Sequence, residues 1–229
     1  MKTIGIVGGL SPESTVLYYT TIIEEYRRRY GNEEYPEIVI YSVNFGKFTR
    51  LMEEGRFKEA ASIIIKAVKS LHKAGADFAI ISANTPHMFL GRIVRESPIP
   101  IISIIDALAE KIIQDNIGKV GLLGTKFTLT QQFYVKELRK HGIEALVPDS
   151  KRVEIVNRII YEELVKGIIR DSSREKLLAV ARELIRRGAE AVALACTELP
   201  LILKNGMGGI RFYDTAKIHA IKALEYALK

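Results

Sequence analysis

Two rhythms of apolar residues alternate along the chain. Short continuous runs occur at Thr3-Ile4-Gly5-Ile6-Val7-Gly8, Ile38-Val39-Ile40-Tyr41, Phe78-Ala79-Ile80-Ile81, Ile101-Ile102, Val120-Gly121-Leu122-Leu123 and Ala191-Val192-Ala193-Leu194. Between them apolar positions return with helical spacing over 12–30, 57–73, a stretch after Thr85, one ending at Asp115, then 129–140, 151–166, 173–187 and a last stretch from Asp214. The runs predict strands, with a further short one near Ala145, and the spaced stretches predict amphipathic helices. Strands that are apolar throughout are buried on both faces, so the class is α/β with parallel sheet. Ser11-Pro12-Glu13 reads as an N-cap, a first-turn proline and a carboxylate facing the helix dipole.

The pattern repeats. Gly75-Ala76-Asp77 followed by the Phe78 run matches Gly188-Ala189-Glu190 followed by the Ala191 run, and the match holds to Ala83 and Cys196 at a constant offset of 113 residues. Gly5-Ile6-Val7-Gly8 matches Gly121-Leu122-Leu123-Gly124 at an offset of 116. Two matches in the same order predict two similar parallel-sheet α/β halves related by internal duplication. Ligands of open α/β sheets bind beyond the carboxyl ends of strands, so Ala83 and Cys196 are expected to border one ligand cleft between the halves.

Composition narrows the function. No window approaches the roughly 20 apolar residues that span a bilayer, and the Met1-Lys2-Thr3 start meets a strand directly. Neither a membrane partner nor a secretory leader is expected, and a single cysteine fits a cytoplasmic protein. The 34 Lys and Arg exceed the 27 Asp and Glu by seven. The densest basic run, Arg27-Arg28-Arg29, is flanked by Glu24, Glu25, Glu33 and Glu34, which reads as a solvated helix face and not a nucleic-acid surface. The weak positive field suits a small acidic substrate. The Gly5–Gly9 turn lacks the dinucleotide spacing, no Walker lysine follows, and His72, His87, His141 and His219 share no metal-ligand spacing, so no cofactor and no metal are expected.

Three turns could carry chemistry. Cys196 ends a strand before Thr197-Glu198-Leu199, a helix start whose free N–H groups and dipole would lower the thiol pKa; a buried structural cysteine is the alternative. Ser82-Ala83-Asn84-Thr85-Pro86-His87 occupies the equivalent place. Asn84 and Thr85 can cap a helix and also present N–H groups to a carboxylate, and His87 is either an acid or a helix-face residue. Gly8-Gly9-Leu10 lets a small ligand approach backbone.

Taken together, Gly5-Ile6-Val7-Gly8-Gly9-Leu10-Ser11-Pro12, Ser42-Val43-Asn44-Phe45, Asn84-Thr85-Pro86-His87 and Ala195-Cys196-Thr197-Glu198 resemble the aspartate/glutamate racemase family over essentially the whole chain. The resemblance implies a cofactor-independent amino-acid racemase, a homodimer, and duplicated domains comprising 1–103 plus 211–229 and 104–210. It also implies two cysteines serving opposite faces of the substrate Cα. The family's first motif is Cys-Asn-Thr-x-His, and this chain has Ala83 where that cysteine belongs. Its substrate-carboxylate lysine matches Val165, with Lys166 one position, about 100° of helix, further on. Arg50 lies near the expected side-chain clamp. The substrate-binding set is therefore Gly8, Gly9, Leu10, Arg50, Asn84, Thr85, Thr125, Lys126, Lys166, Thr197 and Glu198. Cys196 is the catalytic residue, and Ser82, Thr85, His87 or a water is the second proton-transfer group. A racemase of aspartate or glutamate is the expected activity. The alternatives are a one-cysteine isomerase or decarboxylase of the maleate isomerase or malonate decarboxylase type, and a non-catalytic binder of acidic ligands.

Overall fold

The computed structural model describes residues 1–229 and divides into two compact units, Met1–Ile104 with Ala216–Lys229, and Ile105–Thr215. The first unit contains β1 (Ile4–Gly8), α1 (Pro12–Tyr30), β2 (Ile38–Ser42), α2 (Phe45–Glu53), α3 (Phe57–Lys73), β3 (Phe78–Ile81), a 3-10 turn over Thr85–Phe89 and α4 (Leu90–Glu96). After α5 (Ile104–Gln114) come β4 (Lys119–Gly124), α6 (Lys126–Thr130), α7 (Phe133–Lys140), β5 (Glu144–Leu146), α8 (Ser150–Glu162), α9 (Asp171–Arg186), β6 (Ala191–Ala195), α10 (Leu199–Ile202) and β7 (Phe212–Asp214). The last helix, α11 (Thr215–Ala227), packs on the first sheet through Ala216, Ala220, Ala223 and Leu224.

Both sheets are parallel, in the orders β2-β1-β3 and β5-β4-β6-β7. Each places its earliest strand between the next two, and their registers are equivalent: Ile4 pairs with Phe78, and Val120 with Ala191. The duplication extends to individual contacts. A Cβ on Gly5 would lie 3.3 Å from Leu71 Cβ, and one on Gly121 3.0 Å from Leu184 Cβ. Each glycine admits the last turn of the helix that crosses its strand. That helix then ends the same way in both units, with a left-handed glycine, Gly75 at φ 95° or Gly188 at φ 98°. The following carboxylates latch the start of the central strand: Asp77 Oδ2 accepts Thr3 N–H at 2.7 Å, and Glu190 Oε1 accepts Gly118 and Lys119 N–H at 2.9 Å.

Several sequence expectations are corrected. Ile101-Ile102 forms no strand; Pro100 has no N–H to give, and pairing shrinks to one bridge between Ala79 and Ile101. The helix expected over 129–140 is two, because Gln132 adopts a left-handed φ of 56°. The helix expected over 151–166 stops at Glu162, where Glu163 leaves helical geometry and a 3-10 turn over Leu164–Lys166 follows. The spacing reading lacked α2 and β7. At three residues β7 is too brief to show a period. No helix is long and apolar enough to cross a membrane.

The first unit's core contains a buried polar pair. Tyr18 O–H donates to His219 Nδ1 at 2.8 Å, and His219 Nε2–H donates to the Ile102 carbonyl at 2.9 Å. Burial pushes His219 down to about 3. A folded pKa depressed below the unfolded value of roughly 6.5 gives stability that is present above that value and lost as pH falls towards 3. This one group should therefore remove about 1.4 kcal/mol of stability per pH unit below about pH 6.5. Urea unfolding of the wild type and His219→Gln at pH 7.0 and 5.0 (about one and a half units below that value) checks it. The wild type should lose about 2 kcal/mol more than the variant, and equal losses would refute the assignment.

Candidate active site

The second unit's turn follows directly from where β6 ends. Cys196 is the first residue beyond the strand, packed in the apolar cluster with Leu164, Leu194, Leu199 and Ile202. The chain folds back so that the Glu198 carboxylate accepts two hydrogen bonds through Oε2, from Cys196 Sγ at 3.0 Å and from Thr197 Oγ1 at 2.9 Å. Cys196, Thr197 and Glu198 are all buried. The expected low-pKa thiol is corrected by this geometry. Burial pushes the Cys196 thiol well up, the Glu198 charge and its hydrogen bond add to the rise, and the backbone N–H groups of Glu198 and Leu199 offset only part of it. The helix that follows has only four residues and so carries little dipole. Cys196 is a neutral thiol with a carboxylate acceptor in contact with it.

The first unit's turn is built from groups already engaged in structure. Ser82 is fully buried, its Oγ donating to the Val7 carbonyl at 3.2 Å and lying 3.4 Å from Thr15 Oγ1. His87 Nδ1–H donates to the Ala83 carbonyl at 3.0 Å, and Nε2 accepts the Ile104 N–H at 3.1 Å. Both ring nitrogens are thereby spent on backbone, which fixes the neutral tautomer and ties the turn to the residue that opens α5. Asn84 has helical backbone angles and makes no side-chain cap to the 3-10 turn that follows. Ala83 is buried, and Thr85 is partly exposed.

At the end of β1 the glycines are required by packing. A Cβ on Gly8 would lie 2.5 Å from Thr15 Cγ2, and one on Gly9, at φ 77°, 2.4 Å from the Val43 carbonyl. Gly9 N–H donates to Thr15 Oγ1 at 2.8 Å, and Ser14 Oγ donates to the Ser82 carbonyl at 2.8 Å. Leu10 is buried. Sequence reasoning missed this Ser14–Thr15 strut, since hydroxyls in a first helical turn look like any capping sequence.

The remaining candidates lie on other elements of the two units. Thr125 caps α6 by accepting Thr128 N–H at 3.3 Å, and Lys126 is exposed and pairs with Glu154. Val165 packs against the second unit's core, while Lys166 is exposed one position on. Arg50 is exposed in the last turn of α2.

The model of the Asp/Glu/Hydantoin racemase family matches residues 7–223. The chain belongs to this family. It is 28% identical over 217 residues to the broad specificity amino-acid racemase RacX of Bacillus subtilis (strain 168), covering 93% of this chain and 92% of that protein. Among solved structures, an aspartate racemase homologue from Pyrococcus horikoshii OT3 is 42% identical, with all of both chains covered and a TM-score of 0.87. The Picrophilus torridus aspartate racemase, 23% identical, shares the fold at a TM-score of 0.75 over 100% of this chain and 95% of that one. The two parallel-sheet halves are thus those of the Asp/Glu racemase fold.

In this racemase-family protein the raised thiol pKa has a direct readout. Alkylation of Cys196 by iodoacetamide at pH 7 should be slower than that of a free thiol and should accelerate as pH rises. Glu198→Gln removes the adjacent charge, lowers the thiol pKa and should speed labelling at pH 7. Labelling that is fast in the parent, or slower in Glu198→Gln, contradicts the Cys196–Glu198 coupling.

Proposed function

We propose that the protein is a cofactor-independent racemase of aspartate, glutamate or a related acidic amino acid, acting in the cytoplasm as a homodimer. The observation that carries this reading is the Cys196–Glu198 hydrogen bond, which pairs the chain's one thiol with a base inside an apolar cluster. Glu198 takes the Cys196 proton, and the resulting thiolate removes the α-proton and becomes a thiol again. A hydroxyl group then protonates the opposite face of the carbanion and recovers its own proton from water, while Glu198 returns its proton to solvent. Bases positioned in this way contribute about 10²- to 10⁴-fold to proton transfer.

The second group is assigned to Thr85. Ser82 and His87 are buried, whereas Thr85 keeps part of its surface in solvent. Asn84 and Thr197 are proposed to hold the substrate carboxylate, with the basic Arg50, Lys126 and Lys166 adding attraction for an acidic side chain. The family's cysteine at position 83 is absent, so turnover should be slow, because an alcohol is a poorer proton shuttle near neutral pH than a thiol.

The test is turnover of L- and D-aspartate and glutamate in deuterium oxide, followed by proton loss at Cα and by chiral separation. Inversion with one solvent deuterium at Cα is expected. Cys196→Ala should reduce it by about 10²-fold or more and Thr85→Val by about tenfold. Ala83→Cys, which restores the family's residue, should raise it, and Cys196→Ala in that background should abolish the gain. Exchange with retention would replace the racemase by a one-sided base. Saturable binding without exchange, in the parent and in Ala83→Cys, would leave an acidic-ligand binder.

A further inference from the structure

We propose that Asp106, Glu137 and His141 in the second unit form a binding site for one divalent transition-metal ion of the zinc class. One ligand atom from each residue lies within 4.8 Å of the others. Asp106 is in the first turn of α5, Glu137 is on α7, and His141 is the residue that ends α7. The spacing Glu137-x-x-x-His141 puts both side chains on one helix face, and the turn of α5 brings Asp106 opposite. His141 Nε2 and Asp106 Oδ1 are 2.9 Å apart. Comparing histidine with histidine along the sequence could not find this set, because one nitrogen ligand is combined with two oxygen ligands from segments 31 and 35 residues apart.

The donor types choose the ion. Imidazole with carboxylates suits zinc, cobalt or nickel, while magnesium and calcium prefer oxygen alone. Zinc bonds to such atoms are about 2.0–2.2 Å, which separates tetrahedral ligands by about 3.3 Å. The His141–Asp106 pair is already near that spacing, and Glu137 has to move by at most roughly 1.5 Å, a rotamer adjustment at a partly exposed side chain. A water would complete the set of four. The competing cation is Lys140, whose Nζ lies 2.7 Å from Glu137 Oε2. A bound ion would displace that contact and staple the start of α5 to the end of α7.

The test uses the full chain carrying Cys196→Ala, so that the thiol cannot bind zinc, stripped with chelator and titrated with zinc chloride by calorimetry. One ion per chain is expected, with Tm raised by about 5 °C or more at a hundredfold excess over Kd. His141→Ala and Asp106→Asn should each weaken binding by about tenfold or more, and Lys140→Met should tighten it about two- to fivefold by removing the competing charge. Metal-free unfolding curves that match the parent's confirm that these variants fold. Absence of saturable one-to-one binding, or unchanged affinity in either ligand variant, overturns the site.

Discussion

The architecture depends on one close approach, made twice. A helix can cross the central strand of each sheet at the observed distance only because the strand has no side chain where the helix ends, at Gly5 under Leu71 and at Gly121 under Leu184. Close packing fixes the height of the helix over the sheet, the left-handed glycine stops the helix there, and the following carboxylate anchors to the start of the central strand. With the origin of β3 and β6 set in this way, their ends are set too. Ala83 and Cys196 each fall beyond a buried strand of four or five apolar residues, where the chain must turn and its backbone groups become available.

The two turns use that position in opposite ways. The first spends its polar side chains on structure, Ser82 on β1 and His87 on Ala83 and Ile104, while Ser14 holds the Ser82 carbonyl and Thr15 the neighbouring glycine turn. The second keeps a thiol and a carboxylate in contact inside an apolar cluster, and low dielectric makes their coupling stronger than it would be in water. A charge created on sulfur there is costly. Cys196 therefore rests as a thiol, instead of standing permanently ionised beside a helix dipole.

Much of the fold was legible in the chain itself. Continuous apolar runs identified β1, β3, β4 and β6, because strands buried on both faces have no polar alternation. The Gly-Ala-acid joints exposed the duplication, since a helix stop, a small residue and a latch are local requirements that recur wherever the same joint is built. Cys196, its Thr197-Glu198 neighbours and the Asn84-Thr85-Pro86-His87 turn were also found from sequence, as polar residues at the ends of such runs. The break at Gln132, the loss of the strand at Ile101 and the late strand β7 were not, because they rest on one backbone angle, one missing donor and one three-residue pairing.

What the sequence determined by itself was the order of elements, the repeat and the residue types available at each strand end, all encoded in periodicity and nearest neighbours along the chain. Tertiary structure decided what those residues are. It turned the thiol expected to be acidic into a weak acid, by burying it with the Glu198 carboxylate against its sulfur. It gave Ser82 and His87 backbone partners, and it gathered Asp106, Glu137 and His141 from two helices. Side-chain pKa and ligand grouping depend on dielectric, distance and direction in space, and none of these is a function of spacing along the chain.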